Sequence, residues 1–454
     1  MGAPGPGGRL RRASFGVAAA AALWGTFAAT AMASTGARVA KGPYVTSVFD
    51  TGADVRFELD QALPATLTIA RDGDSTSPPR TFDSAEPAAM HVVRATGLES
   101  ATHYTYSVRV GSALLGEGHF STAPAQGSAV PVTFIVYGDD RTDPTAHAAI
   151  ARAMLQVPSA FLVNTGDMVE DGSDADAWQS FFDVEAPLLR DRPIFAAVGN
   201  HELVNDLAGS NFVRYFGFSN PSGPPTLYGT VRFGLVRFFF LNGMHGWDSG
   251  EERDWLARAL ASADTEPGLV WRIAVVHHGP WSSGPHGSNA NLLDAGIPEL
   301  LAAHHADLFL SGHDHIYERG SSDGVKYLVS GGGGAPLYRI DRLQPTSLKA
   351  EAAYHFIEIS ATPSQVRIVA RRVDGTVLDR CGFAKGKPWD CDPPRAPSAS
   401  PSNTADAPLP RSSSHWRCSC DSGNSTLDRS VLSTTALFAV LMGLRRHKGR
   451  TALR

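Results

Sequence analysis

Ser311-Gly-His-Asp-His-Ile-Tyr-Glu-Arg319 follows an apolar run, Asp307-Leu-Phe-Leu310, and its reading decides the fold. Continued as a β-strand, the run aims His313 and His315 to the same side, because alternate residues of a strand share a face. Two imidazoles side by side, behind a glycine that lets the backbone crowd close, suit two neighbouring metal ions better than one. A metal pair needs further oxygen and nitrogen ligands. Four upstream motifs supply them: Gly138-Asp139-Asp140-Arg141, Gly166-Asp167-Met-Val-Glu170, Gly199-Asn200-His201-Glu202 and Val276-His277-His278-Gly-Pro-Trp-Ser-Ser283. Each motif alone is weak, since Gly-Asp pairs are common in turns. All five in this order point to hydrolytic divalent or trivalent metals, which take carboxylate, amide and imidazole ligands.

The surrounding pattern places these motifs at strand ends. Apolar runs at 132–137, 160–164, 194–198, 236–241, 271–276 and 307–310 read as buried strands. Helical patterns at 146–156, 178–182, 252–261 and 297–303 lie between them, and strands at 327–330, 354–359 and 365–370 close the region. Such alternation predicts an α/β domain whose strand ends carry the site. Before it, residues 42–124 are β-type, with alternating segments at 44–48, 53–59, 65–69 and 103–110 separated by Gly, Asp and Pro turns. Short strands at this spacing predict a small sandwich.

The chain has 454 residues, 43% of them hydrophobic, which is ample for two or three domains with real cores. Its 40 Lys+Arg against 45 Asp+Glu leave no basic stripe, which argues against a nucleic-acid partner. Arg9, Arg11 and Arg12 precede an Ala-rich apolar run that closes with Ala31-Met-Ala33. Residues 1–33 therefore read as a secretory signal, which puts the protein in the periplasm, at the cell surface or outside the cell. An exported chain can keep Cys381 and Cys391 as a disulfide. Residues 383–417 are rich in Pro and Ser and read as a linker. The tail over 418–450 pairs Cys418 and Cys420 with an apolar stretch at 431–444 that is short for the roughly 20 residues of a membrane span. It resembles a myxobacterial-type sorting tail, which would anchor the protein at a membrane or cell surface.

Taken in order, the five motifs resemble those of the binuclear metallophosphoesterases of the calcineurin-like superfamily. Gly199-Asn-His-Glu and Gly312-His-Asp-His-Ile-Tyr-Glu-Arg are most similar to the purple acid phosphatase branch. Gly42-Pro-Tyr-Val, Gly97-Leu-Glu-Ser, His103-Tyr-Thr-Tyr-Ser-Val and Phe120-Ser-Thr-Ala-Pro resemble the fibronectin-III-like domain that precedes the catalytic domain there. The resemblance covers about residues 42–380. It implies an αββα sandwich over 131–382, preceded by a small all-β sandwich over 42–124. It also implies two metal ions (Fe, Mn or Zn), the first held by Asp139, Asp167 and His315. Asp167 would bridge to the second, which also takes Asn200, His277 and His313. His201 would contact phosphate and donate a proton to the leaving group. The activity implied is hydrolysis of small phosphate monoesters by in-line attack of a metal-bound hydroxide. A phosphodiesterase or nucleotide hydrolase is the alternative within the class, and an inactive surface binding protein the alternative outside it.

Three positions depart from the family's pattern. Glu170 stands where the purple enzymes have a tyrosine ligand, so no purple colour is expected; Glu170 reads either as a carboxylate ligand to the first metal or as a solvated loop acid. Arg141 stands where related enzymes have a histidine, and could grip a phosphate oxygen. The fourth motif offers two histidines, with the ungapped match favouring His277 over His278. His286 lies where the family places histidines that touch phosphate. Tyr317, Glu318 and Arg319 are expected to orient the ligating imidazoles.

Overall fold

The computed structural model describes residues 1–2, 36–220, 223–244, 247 and 250–392. The expected signal segment (apart from its first two residues) and the sorting tail lie outside the described residues.

Residues 39–121 form five antiparallel strands: β1 (Val39–Phe49), β2 (Gly52–Arg71), β3 (Arg80–Thr96), β4 (His103–Val110) and β5 (Ala113–Ser121). The all-β region expected here is present, but as one hydrogen-bonded sheet of fewer, longer strands. The segments read separately at 53–59 and 65–69 are one strand, β2, whose register slips between Glu58 and Ala65, where Pro64 cannot donate to the ladder. Strand β2 pairs β1 through Gly52–Leu59 and β4 through Thr66–Arg71, while β3 runs along its other edge.

The second region begins with β6 (Val132–Tyr137), α1 (Pro144–Leu155), β7 (Phe161–Asn164), α2 (Ala175–Leu189), β8 (Ile194–Ala196) and α3 (Ser210–Phe216). Next come β9 (Gly229–Phe233), β10 (Val236–Phe240), α4 (Glu251–Asp264), β11 (Trp271–Val275), α5 (Ala290–Asp294), α6 (Ile297–Ala303) and β12 (Leu308–Ser311). It closes with β13 (Tyr317–Ser322), β14 (Val325–Ser330), β15 (Ser347–Glu351), β16 (His355–Ala361), β17 (Gln365–Arg372), β18 (Val377–Ala384) and β19 (Asp390–Cys391). These strands make two seven-stranded sheets, ordered β15-β13-β14-β12-β11-β10-β9 and β19-β18-β17-β16-β6-β7-β8.

Strand alternation dictates the layering. Phe134 and Val136 of β6 share a core with Phe238, Val275, Leu310, Ile357 and Ile359, so these faces of the two sheets meet. Ile135 and Tyr137 point the other way, onto Ile150 and Met154 of α1 and Trp178 of α2. Ala274 and Phe309 of the opposite sheet likewise pack against Leu256 and Leu260 of α4 and Leu301 of α6. The result is the expected helix–sheet–sheet–helix sandwich. The first residues of the expected linker belong to the sheet instead: β18 runs to Ala384, β19 returns to pair with it, and a disulfide joins Cys381 to Cys391. Phe383 and Trp389 are apolar enough to stay with the sheet, packing edge to face.

Side chains of the all-β region reach α3, Glu58 by accepting from Tyr215 Oη at 3.1 Å. Arg56 of β2 is buried and donates to the carbonyls of Arg214 (3.1 Å) and Gly217 (2.7 Å), capping groups that the helix end leaves unpaired. Tyr44 donates to the Tyr215 carbonyl at 2.9 Å and packs on Phe182 and Phe216.

Glu252, in the first turn of α4, is buried and accepts a 2.7 Å bond from the Asn242 amide. Burial pushes its pKa up to about 9. A raised carboxyl pKa gives stability that is complete below the unfolded value and is lost as pH rises through the folded one. Glu252→Gln should therefore melt close to the wild type near pH 5 and several degrees above it near pH 9. Parallel melting curves for the two chains across that window would reject a buried, proton-holding Glu252.

Candidate metal centre

The five motifs lie at the C-terminal ends of β6, β7, β8, β11 and β12, where the two sheets face each other. Asp139 (φ 58°), Asp167 (φ 58°) and His313 (φ 70°) all adopt left-handed backbone, costly for side chains other than glycine and typical of functional sites. Contacts between neighbouring loops lock them: the His313 amide donates across the sheets to Asp139 Oδ2 at 2.9 Å, and the Asp139 amide donates within its own sheet to the Gly166 carbonyl at 2.9 Å. The Gly331–Gly334 run packs directly on the Asp139 loop. A Cβ on Gly333 would strike the Gly138 carbonyl, and Ala335 donates to the Asp139 carbonyl at 2.8 Å.

Protons define what the cluster can bind. His277 Nδ1 donates to the Thr165 carbonyl at 3.0 Å, leaving its Nε2 as the lone-pair nitrogen. That nitrogen sits 3.2 Å from each of Asp167 Oδ1, Asn200 Oδ1 and His313 Nδ1. His315 Nδ1 donates to the Pro336 carbonyl at 2.6 Å, so its Nε2, buried and unbonded, faces Asp139 Oδ1 at 3.5 Å. Acceptors thus face acceptors, and the set fits cations. With a proton as the available cation, burial opposes a charged His277, yet Asp167 and Asp139 outweigh it and push its pKa up to about 9. His313 is driven far down by burial and by the neighbouring His277, so it is neutral and free to ligate.

The structure thus brings Asp139, Asp167, Asn200, His277, His313 and His315 together. His278 lies outside this set: its Nε2 bonds the Gly287 carbonyl and its ring backs His313 at 4.2 Å. Glu170 is not drawn in as a ligand either. Its half-exposed carboxylate accepts from Arg141 Nη1 at 2.7 Å and Thr142 Oγ1 at 2.6 Å, which satisfies it away from the cluster. Arg141 Nε meanwhile bonds Asp167 Oδ2 at 3.2 Å. His201 holds its Nδ1 on the Glu170 carbonyl at 2.8 Å and directs Nε2 to within 3.9 Å of Asp167. His286 bonds Asp314 Oδ1 at 3.0 Å and stacks near His313.

Tyr317, Glu318 and Arg319 do not touch the imidazoles. Tyr317 and Arg319 both bond Asp379 Oδ2 at 2.7 Å, and Glu318 fixes the loop at Ser283. The orienting work falls to Glu202, which accepts from the amides of Gly199 (2.7 Å), Asp167 (2.9 Å) and Met168 (2.7 Å). Asp314, bonded by Ser282 and His286, holds the outer loop. Tyr338, stacked on His315 at 4.0 Å, walls one side; a lone loop aromatic gives no sequence signal.

Residues 143–317 match the family described as calcineurin-like phosphoesterase. The chain carries a calcineurin-like phosphoesterase domain. Among relatives in Arabidopsis thaliana, a probable inactive purple acid phosphatase 1 is 24% identical over 65% of this chain and 57% of its own length. Purple acid phosphatase 18 is 27% identical over 60% and 63%. The chain spans less than two thirds of the length of these curated relatives. A purple acid phosphatase from yellow lupin (Lupinus luteus) seeds shares the fold with a TM-score of 0.65 at 16% identity, over 75% of this chain and 74% of that one. PhoD does so with 0.61 at 14%, over 78% and 92%.

Proposed function

We propose that the phosphoesterase domain hydrolyses small phosphate monoesters at a binuclear metal centre, in a protein exported on its N-terminal segment. The observation that supports this most is the convergence of six potential ligands on one cluster, with His277 Nε2 at 3.2 Å from each of Asp167 Oδ1, Asn200 Oδ1 and His313 Nδ1. Asp139, Asp167 and His315 would hold one ion, and Asp167, Asn200, His277 and His313 the other. Bound there, the metals would supply Lewis-acid stabilisation of a phosphoryl group and activation of water.

The chain's own residues complete the site. Arg141, fixed through Nε and Nη1, presents the rest of its guanidinium to a phosphoryl oxygen, a charge-assisted contact stronger than a neutral one. His201, held at Nδ1, offers Nε2 to exchange a proton with the leaving oxygen. The test pairs metal analysis with turnover of p-nitrophenyl phosphate, bis-p-nitrophenyl phosphate and ATP. Two metals per chain with preference for the monoester are expected. Preference for the diester or ATP would move the substrate class, and a metal-free, inactive protein would reject the reading.

Glu170 separates positioning from ligation. Glu170→Gln should keep both metals and raise KM about tenfold, as Arg141 loses a charge-assisted partner worth on the order of 1–2 kcal/mol. Loss of one metal from that variant would make Glu170 a ligand after all.

A further inference from the structure

Behind the metal centre lies a second buried group that this activity does not use. Asp140, His147 and Glu185 are all at most 3% exposed. His147 Nε2, from α1, sits 2.7 Å from Glu185 Oε1 of α2 and 3.3 Å from Asp140 Oδ2. The shorter distance is that of an N–H···O bond between charged partners, not of two ligands sharing an ion. The contrast with the 3.2 Å acceptor–acceptor spacings around His277 is direct.

The group does not end at Asp140. Asn164, also fully buried, donates through Nδ2 to Asp140 Oδ1 at 3.0 Å and accepts at Oδ1 from the Gly166 amide at 2.8 Å. Asp140 follows Asp139, and Gly166 precedes Asp167. One buried chain, Glu185–His147–Asp140–Asn164–Gly166, therefore runs from the two helices into both carboxylate loops, through hydrogen bonds except at His147–Asp140, where the contact is an ion pair and Asp140 Oδ2 has no hydrogen-bond partner. Each loop carries a ligand in a left-handed conformation that its surroundings must hold in place.

We infer that this chain is a positioning device: it fixes the spacing of the Asp139 and Asp167 loops and thereby sets the affinity of the first metal position. The inference rests on the metal-centre reading above and adds residues that touch neither metal nor substrate. Supporting residues of this kind typically change metal affinity by about 10–100-fold.

Asn164→Asp, His147→Leu and His147→Gln are the test, read by metal content after dialysis against graded chelator, with kcat, KM and melting temperature alongside. Asn164→Asp keeps the shape and the acceptor for Gly166 but loses the donor to Asp140. His147→Leu breaks the middle of the chain, and His147→Gln restores a donor toward Glu185. Asn164→Asp and His147→Leu should release one metal per chain at about 10–100-fold less chelator than the wild type, with kcat falling more than KM rises. His147→Gln should recover most of the loss. Wild-type chelator profiles in the first two variants would overturn the inference, as would both metals leaving together in step with a lowered melting temperature. If Asn164→Asp does not fold, the two His147 variants decide. A wild type without metal would bring down the metal centre itself, which these variant comparisons keep separate.

Discussion

Asp167→Asn is expected to lower turnover by about a thousandfold and to leave at most one metal ion per chain. Two cations at bonding distance from a common residue repel strongly, and a shared carboxylate is what offsets that repulsion. Asp167 is placed for that role: one oxygen lies 3.2 Å from His277 Nε2, the other 3.2 Å from Arg141 Nε. An amide keeps the shape, removes the charge and turns one of those atoms into a donor facing Arg141 or His277. Removing several kcal/mol of charge stabilisation at about 1.4 kcal/mol per tenfold gives the quoted magnitude. Metal analysis and steady-state turnover on the same preparation check it. Wild-type turnover, or two retained metals, would refute the assigned bridge.

Arg56→Met should cost about 3 kcal/mol of stability. The side chain is buried, its partners are the terminal carbonyls of α3, and it also donates to Thr46 Oγ1 at 3.0 Å. Methionine fills much of the volume but donates nothing, so carbonyls satisfied by a cation are left buried and unpaired, each at about 1–3 kcal/mol. The denaturant midpoint should fall with the slope unchanged. A midpoint within error of the wild type would mean that solvent reaches the end of α3 and the cap is dispensable.

The order of the candidate metal ligands was legible because each stands within a few residues of the end of a buried strand, and a strand end is a local signal. The choice of His277 over His278 followed ungapped spacing, and the structure puts the former in the cluster. Side-chain direction was not legible. Glu170 has the right chemistry for a ligand, but Arg141, 29 residues earlier, claims its carboxylate. Tyr317 and Arg319 look like supports for neighbouring histidines, yet their partner is Asp379, about 60 residues on. The Asp140–His147–Glu185 chain joins a loop and two helices, a juxtaposition no local pattern encodes. In the all-β region, polar residues around Gln61 and Pro64 hid the continuity of β2, because a register slip and a strand break read alike.

The left-handed backbone at Asp139, Asp167 and His313 has a consequence for how such a chain changes over generations. Asparagine and glycine tolerate that conformation at least as well as the residues present, so their arrival there would erase chemistry while easing strain. Decay of catalysis and survival of the scaffold would then go together, and descendants that keep this architecture without its reaction would arise by drift alone.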